Sequence, residues 1–191
     1  SNLSVMSSAF DQSRTDGFDE DIRLVDRFLG GEAGAFDILY SKYYDRVYAV
    51  ALGVLLKPEE AADATQEIFT LVYRNLTKFD KRSKFSTWIY RVAVNRSIQQ
   101  ARTIKNQKLN LPLDVAADRP ATNEDHSVDP RVSYALSKLG PDDRAAITLF
   151  YWDDLSLTEI GDTLGISANA AKTRLFRARE RFRHYYEEVA D

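Results

Sequence analysis

From Asp19 onward apolar residues recur at three- and four-residue steps: Ile22, Val25 and Leu29, then Phe36, Leu39, Tyr40, Tyr43, Tyr44, Val47, Val50, Ala51 and Val54. Residues three and four apart share one side of an α-helix, so the pattern predicts helices with a single buried face. "GGEAG" at Gly30–Gly34 interrupts the run and predicts a turn between two of them. A third helix is predicted over 57–76, opened by Pro58 and Glu59 and burying Ala62, Ile68, Phe69, Val72 and Leu76. Ser86 reads as the N-cap of a fourth that begins near Thr87, with Ile89, Val92, Ala93 and Ile98 as its apolar positions. Val132, Ala135, Leu136 and Leu139, then Ala145, Ile147, Leu149, Phe150 and Trp152, predict two more amphipathic helices separated by Gly140 and Pro141. No stretch alternates with the two-residue period of a half-buried strand, so the expected fold class is all-α.

Two polar segments divide this pattern. Residues 1–18 lack periodicity and read as a disordered leader, and because Met6 is the only methionine, residues 1–5 read as a cloning remnant. Residues 109–130 hold three prolines and the acids Asp114, Asp118, Glu124, Asp125 and Asp129 against Arg119 alone, the composition of a flexible acidic linker. The expectation is two small helical domains, 19–108 and 131–191.

Composition narrows the chemistry. At 191 residues, 44% hydrophobic and 29% charged, the chain has the balance of a soluble folded protein. The absence of cysteine excludes disulfides and thiolate metal sites, and His126 and His184 are isolated, so no metal or other cofactor is expected. There is neither an apolar run of the roughly 20 residues that span a bilayer nor a signal-peptide layout, and a cytoplasmic location is expected. The acid pairs Asp142-Asp143 and Asp153-Asp154 fall at predicted helix ends, where they serve as caps or dipole partners, so catalysis is not expected.

The formal net charge is -3, yet Lys172, Arg174, Arg177, Arg179, Arg181 and Arg183 gather in one segment with Glu180 the only acid among them. Before them, "LTEIGDTLGISANAAKTRL" places Ile160, Gly161, Leu164, Gly165, Ile166 and Ala171 where a helix-turn-helix needs them. Gly161 permits close helix packing, Gly165 the positive φ of the turn. The second helix, from about Ala168, presents Asn169, Lys172, Thr173, Arg174 and Arg177 to a major groove. A second basic tract lies between Asp80 and Asp114, with no acid and with Lys81, Arg82, Lys84, Arg91, Arg96, Arg102, Lys105 and Lys108. Cations interleaved with Phe79, Phe85, Trp88 and Tyr90 suit single-stranded nucleic acid, although these aromatics serve equally as core residues. A free-standing helix-turn-helix regulator would use the first basic segment and leave the second without a role.

Two stretches, "AFDILYSKYYDRVYAVALGVLLKPEEAADATQEIFTLVYRNLTKFDKRSKFSTWIYRVAVNRSIQQAR" and "LGPDDRAAITLFYWDDLSLTEIGDTLGISANAAKTRLFRARERFR", resemble regions two and four of bacterial sigma factors of the extracytoplasmic-function (ECF) group. The resemblance runs from about Asp19 to Glu188. It implies a non-catalytic subunit that binds core RNA polymerase and directs it to promoters. "DATQEIF" matches the family's polymerase-binding helix, so Asp63, Gln66 and Glu67 are implied contacts to the coiled coil of the largest catalytic subunit. The loop "KFDKRSKF" is implied to accept a base flipped from the minus-10 element, a step that costs a few kcal/mol of stacking and pairing. Lys81, Arg82, Lys84 and Ser86 belong to that loop, and Arg91, Asn95, Arg96, Gln99 and Arg102 to the helix beyond it. Asn95 fits either strand binding or a hydrogen bond inside the fold.

The minus-35 element falls, by the same resemblance, to Ser167, Asn169, Lys172, Thr173, Arg174, Arg177 and Arg181. Lys172 and Arg174 are expected nearest the bases, Arg177 and Arg181 on phosphates. Where the family usually has "TVKSRL" this chain has "AAKTRL", so Ala170 and Ala171 imply looser packing under the recognition helix. The acidic linker is implied to pass near the RNA path, and an anti-sigma factor is an expected partner.

Overall fold

The computed structural model describes residues 17, 19–110 and 129–190. The expected leader, Gly17 apart, and most of the expected linker lie outside the described residues. α1 covers 19–29, α2 Ala33–Leu55 and α3 Pro58–Asn75, followed by a 3₁₀ turn, Leu76–Lys78, and by α4, Phe85–Leu109. The second unit comprises α5 Pro130–Ser137, α6 Pro141–Tyr151, α7 Leu157–Leu164 and α8 Ala168–Ala190. Among the described residues there is no strand, and no helix is long and apolar enough to cross a membrane.

In the first unit, Leu39, Tyr43, Val47 and Val50 of α2 meet Ala61, Ala64, Ile68 and Val72 of α3 and Phe85, Ile89 and Ala93 of α4. Ala61 and Ala64 are buried where Ala62 was expected to be. α1 is tied down by its buried Asp21, which accepts hydrogen bonds from the Tyr43 hydroxyl and, at 2.7 Å, from Lys42 Nζ. Burial, reinforced by the Asp21 charge, pushes the Tyr43 phenol far above its ordinary value, so it remains a donor.

The helix-turn-helix assembles locally, as its sequence predicts. Ser156 Oγ accepts from Glu159 N, and the Glu159 carboxylate accepts from Ser156 N, each at 3.2 Å, a reciprocal cap for α7. Gly165 ends α7 at φ 71°. At Gly161 a Cβ would stand 2.7 Å from the Ile166 carbonyl oxygen, so only glycine lets the backbone of the turn come so close. Ser167 Oγ accepts from Ala170 N at 3.1 Å and caps α8, which buries Ala171, Leu175 and Ala178.

Three local expectations change. α4 begins at Phe85 rather than near Thr87, and its N-cap is Lys84, with no side-chain cap bond. Burying the Phe85 ring to 1% exposure draws the helix start forward and leaves Ser86 within the first turn. Trp152 lies at the C-terminal end of α6 and is 55% exposed, outside the apolar face. Asp153 is not a cap: it is 6% exposed, and neither carboxyl oxygen has a hydrogen-bond partner. Burial pushes this carboxyl up to about 7, with the nearby Arg46 guanidinium pulling the other way. Its neighbour Asp154 takes a left-handed φ of 55° to turn the chain into α7.

The two units are joined by more than the connecting segment. Ala145, Leu149, Leu155, Ile160 and Ala171 of the second belong to the same buried cluster as the cores of α2 and α4. Arg144 Nε donates to the Val54 carbonyl at 2.9 Å, while its Nη1 donates to Leu139 O at 2.6 Å. Leu56, left-handed at φ 68°, packs against the cluster of Leu136 and Leu139.

Gly161→Val should therefore destabilise the helix-turn-helix by about 1–3 kcal/mol in urea unfolding, because the added side chain forces α7 off the turn. Ser167→Ala should cost about 1 kcal/mol in the same measurement. A Ser167 that served DNA alone would leave unfolding unchanged.

Candidate nucleic-acid interface

Two buried aromatics fix the ends of the loop between the 3₁₀ turn and α4. Phe79 and Phe85 meet edge to face at 5.6 Å, and half-buried Trp88 lies 5.5 and 5.9 Å from them. These rings are core residues, which resolves the choice the sequence left open in favour of packing. With its ends held, the loop projects Lys81, Arg82 and Lys84 into solvent. Asp80 shapes the turn by accepting from Arg82 N at 3.0 Å, and that bond holds its carboxyl below the usual range. Lys81 is paired with Asp26 of α1. The Arg82 side chain is 92% exposed, against 49% for Lys81.

Along α4, Arg91, Asn95, Gln99 and Arg102 are exposed at helical spacing and form one stripe leading away from the loop. Asn95 is on the surface, where it is free to meet a strand. Arg96 is half-buried beside the stripe; its Nη2 reaches Glu67 Oε2 at 2.6 Å and its Nη1 lies 3.4 Å from Gln99 Oε1. Asp63, Gln66 and Glu67 lie together on the outer face of α3, and Gln66 Nε2 donates to the Tyr40 hydroxyl at 3.2 Å. The resemblance assigned Glu67 and Arg96 to different partners, and the structure joins them. Nothing in the spacing of the sequence signals that pair.

On α8 the six clustered cations divide. Arg179 stacks on the Tyr151 ring at 5.6 Å, and Arg183 reaches Glu187 at 3.3 Å. Lys172, Arg177 and Arg181 are exposed, and Arg174 is half-buried at the edge of the same face with Asn169 and Thr173. The open face of α8 thus carries Lys172, Arg177 and Arg181. The Thr173 hydroxyl donates to the Asn169 carbonyl at 3.1 Å, and the Ser167 hydroxyl is engaged as the cap.

The α4 stripe is not open along its whole length. Arg91 Nε donates to the Asp162 carbonyl of α7 at 2.7 Å, and Arg102 Nη2 stands 3.6 Å from Asp142 Oδ2 at the start of α6. Both acceptors come from the helix-turn-helix unit and were not foreseen as neighbours of these arginines.

Comparison with known proteins accounts for both units. Residues 39–107 match Sigma-70 region 2 and residues 131–182 match Sigma-70, region 4. The ECF RNA polymerase sigma factor SigW of Bacillus subtilis is 36% identical over 168 residues, spanning 80% of this chain and 89% of that protein. The RNA polymerase sigma-H factor of Pseudomonas aeruginosa is 30% identical over 183 residues, spanning 85% and 91%. In fold the chain is similar to CnrH, solved in complex with the cytosolic domain of CnrY, with a TM-score of 0.69, 22% identity, and coverage of 88% of this chain and 98% of that one. It is also similar to the sigma factor RpoE solved with the anti-sigma factor NepR from Bartonella quintana, with a TM-score of 0.64, 22% identity, and coverage of 80% and 96%. Both matched regions and these relatives agree: the chain belongs to the ECF group of bacterial RNA polymerase sigma factors.

Proposed function

We propose that region 2 of this sigma factor captures and melts the minus-10 element, that region 4 reads the minus-35 element as duplex, and that an anti-sigma factor controls both. The observation that carries this reading is the separation of cations into two surfaces of different kind. The loop of Lys81, Arg82 and Lys84, continued by the stripe along one side of α4, offers charged and polar groups along an extended path, which suits an opened strand. α8 offers a helix with Lys172, Arg174 and Arg177 on its open side, which suits a major groove. Asp63, Gln66 and Glu67 on α3 supply a third, uncharged-to-acidic face for core polymerase. One structure of similar fold holds the anti-sigma factor NepR and another a second chain, the cytosolic domain of CnrY, and this supports an anti-sigma partner here.

Run-off transcription with bacterial core RNA polymerase on a library of promoter fragments should give specific initiation on a subset. On those promoters Arg174→Glu should lose about 1–3 kcal/mol of discrimination at one minus-35 base pair while still binding core polymerase. Neutralising Arg82 should reduce the slope of log affinity against log salt for single-stranded DNA by about 0.7. Duplex binding without any engagement of polymerase would instead identify a free-standing regulator, and loss of core binding by Arg174→Glu would end the proposed division of labour.

A further inference from the structure

A side-chain amide is an acceptor at one end and a donor at the other. On a nucleic-acid surface it selects a base by hydrogen-bond polarity only if a neighbour decides which end faces the ligand. Asn95 and Gln99, one turn apart on the exposed stripe of α4, differ in that respect. Among the described residues no hydrogen bond engages the Asn95 amide, so either of its ends can face a base. Gln99 Oε1 instead lies 3.4 Å from Arg96 Nη1, and Arg96 Nη2 is held by Glu67 Oε2 at 2.6 Å.

At 3.4 Å the contact between Arg96 and Gln99 is weak as a bond, yet it fixes a sign. A guanidinium carries hydrogens on every nitrogen and accepts nothing, so the amide atom turned towards it is the oxygen. Turning the amide over would set its amino group against Arg96, donor against donor. The Arg96 side chain is only 22% exposed, which limits the screening of its charge by water. Gln99 Nε2 is thereby left for a ligand, and among the described residues nothing accepts from it. It lines an open cleft with Asn95, Arg102 and Asn106.

We infer that Gln99 is a specificity-determining residue of the minus-10 surface that offers a donor alone, and that Arg96, anchored by Glu67, is the positioning residue that sets this polarity. The inference rests on the assignment of α4 to the minus-10 element. A glutamine free to use both ends pairs with adenine N6 and N7. With its oxygen engaged, Gln99 cannot make that pair. Guanine O6 and thymine O4 are acceptors where adenine N6 and cytosine N4 are donors, so Gln99 selects a keto base over an amino base. These groups lie on both the major-groove edge and the pairing edge, so the selection holds before and after the strands part.

The test is run-off transcription by core polymerase with the full-length chain, on an initiating promoter and all its single-base variants across the minus-10 element. The wild-type chain should favour guanine or thymine over adenine and cytosine at one position by about three- to tenfold. Gln99→Ala should level the preference there and nowhere else. Gln99→Glu places one carboxylate oxygen on Arg96 and leaves the other as an acceptor, so the preference should invert to adenine and cytosine. Arg96→Met removes the group that fixes the amide, and the keto-to-amino ratio should fall to about one although Gln99 is intact. A purely structural Arg96 would change the yield on all variants together and leave that ratio alone. A keto preference that survives Arg96→Met would overturn the positioning role, and one that Gln99→Glu fails to invert would overturn the polarity. If Arg96→Met does not fold, Gln99→Glu decides alone. Failure of the underlying assignment would show separately, as Gln99 variants that initiate with wild-type preference at every minus-10 position.

Discussion

A Cβ at position 53 would collide with the side chain of Thr148, so α2 and α6 pack as closely as they do because residue 53 is glycine. The rest of the arrangement follows from that constraint. With the two helices this near, the Val54 carbonyl comes within reach of Arg144, and Leu56, left-handed just past α2, packs against the second cluster. α7 is then carried onto α4, where the carbonyl of Asp162 meets Arg91. An exposed ion pair such as Arg102 with Asp142 adds little energy by itself, and apolar burial and steric fit set the geometry within which such charges find each other.

Within region 2 the division between scaffold and reactive surface is sharp. Phe79, Phe85 and Trp88 spend their rings on packing, and by doing so they hold the loop between them in one place. The pair of Arg96 and Glu67 spans α4 and α3, the helices assigned to DNA and to polymerase. A ligand that recruits one member alters the charge felt by the other, so the two faces of region 2 are electrostatically continuous.

What could be read from the sequence was whatever depends on near neighbours. The Gly161 approach, the Gly165 turn and the start of α8 at Ala168 are set within a dozen residues, and each stood where the pattern placed it. The division of α8 into a buried face of Ala171, Leu175 and Ala178 and an open cationic face was legible for the same reason. The resemblance selected surface positions on α3 and α4 that spacing alone would have left as a solvated face. Ser86 was misread because a short polar residue before an apolar run resembles a cap, and the burial of Phe85 outweighed it. Asp153 was misread because an acid next to a helix start is ordinarily wet; only a long-range contact puts it under α2 and α4. The joint itself left no periodic trace, since Gly53 and Thr148 are far apart in the chain and ordinary in their own helices.

The chain has two tryptophans, and the fold stations them at the two places where change is most informative. Trp88 packs on the two rings that anchor the loop before α4, whereas Trp152 lines the apolar notch formed by α2, α5 and α6. Indole emission is sensitive to hydration and to nearby rings, so the native protein carries two intrinsic optical probes, one for the loop and one for the joint between regions, with no dye attached.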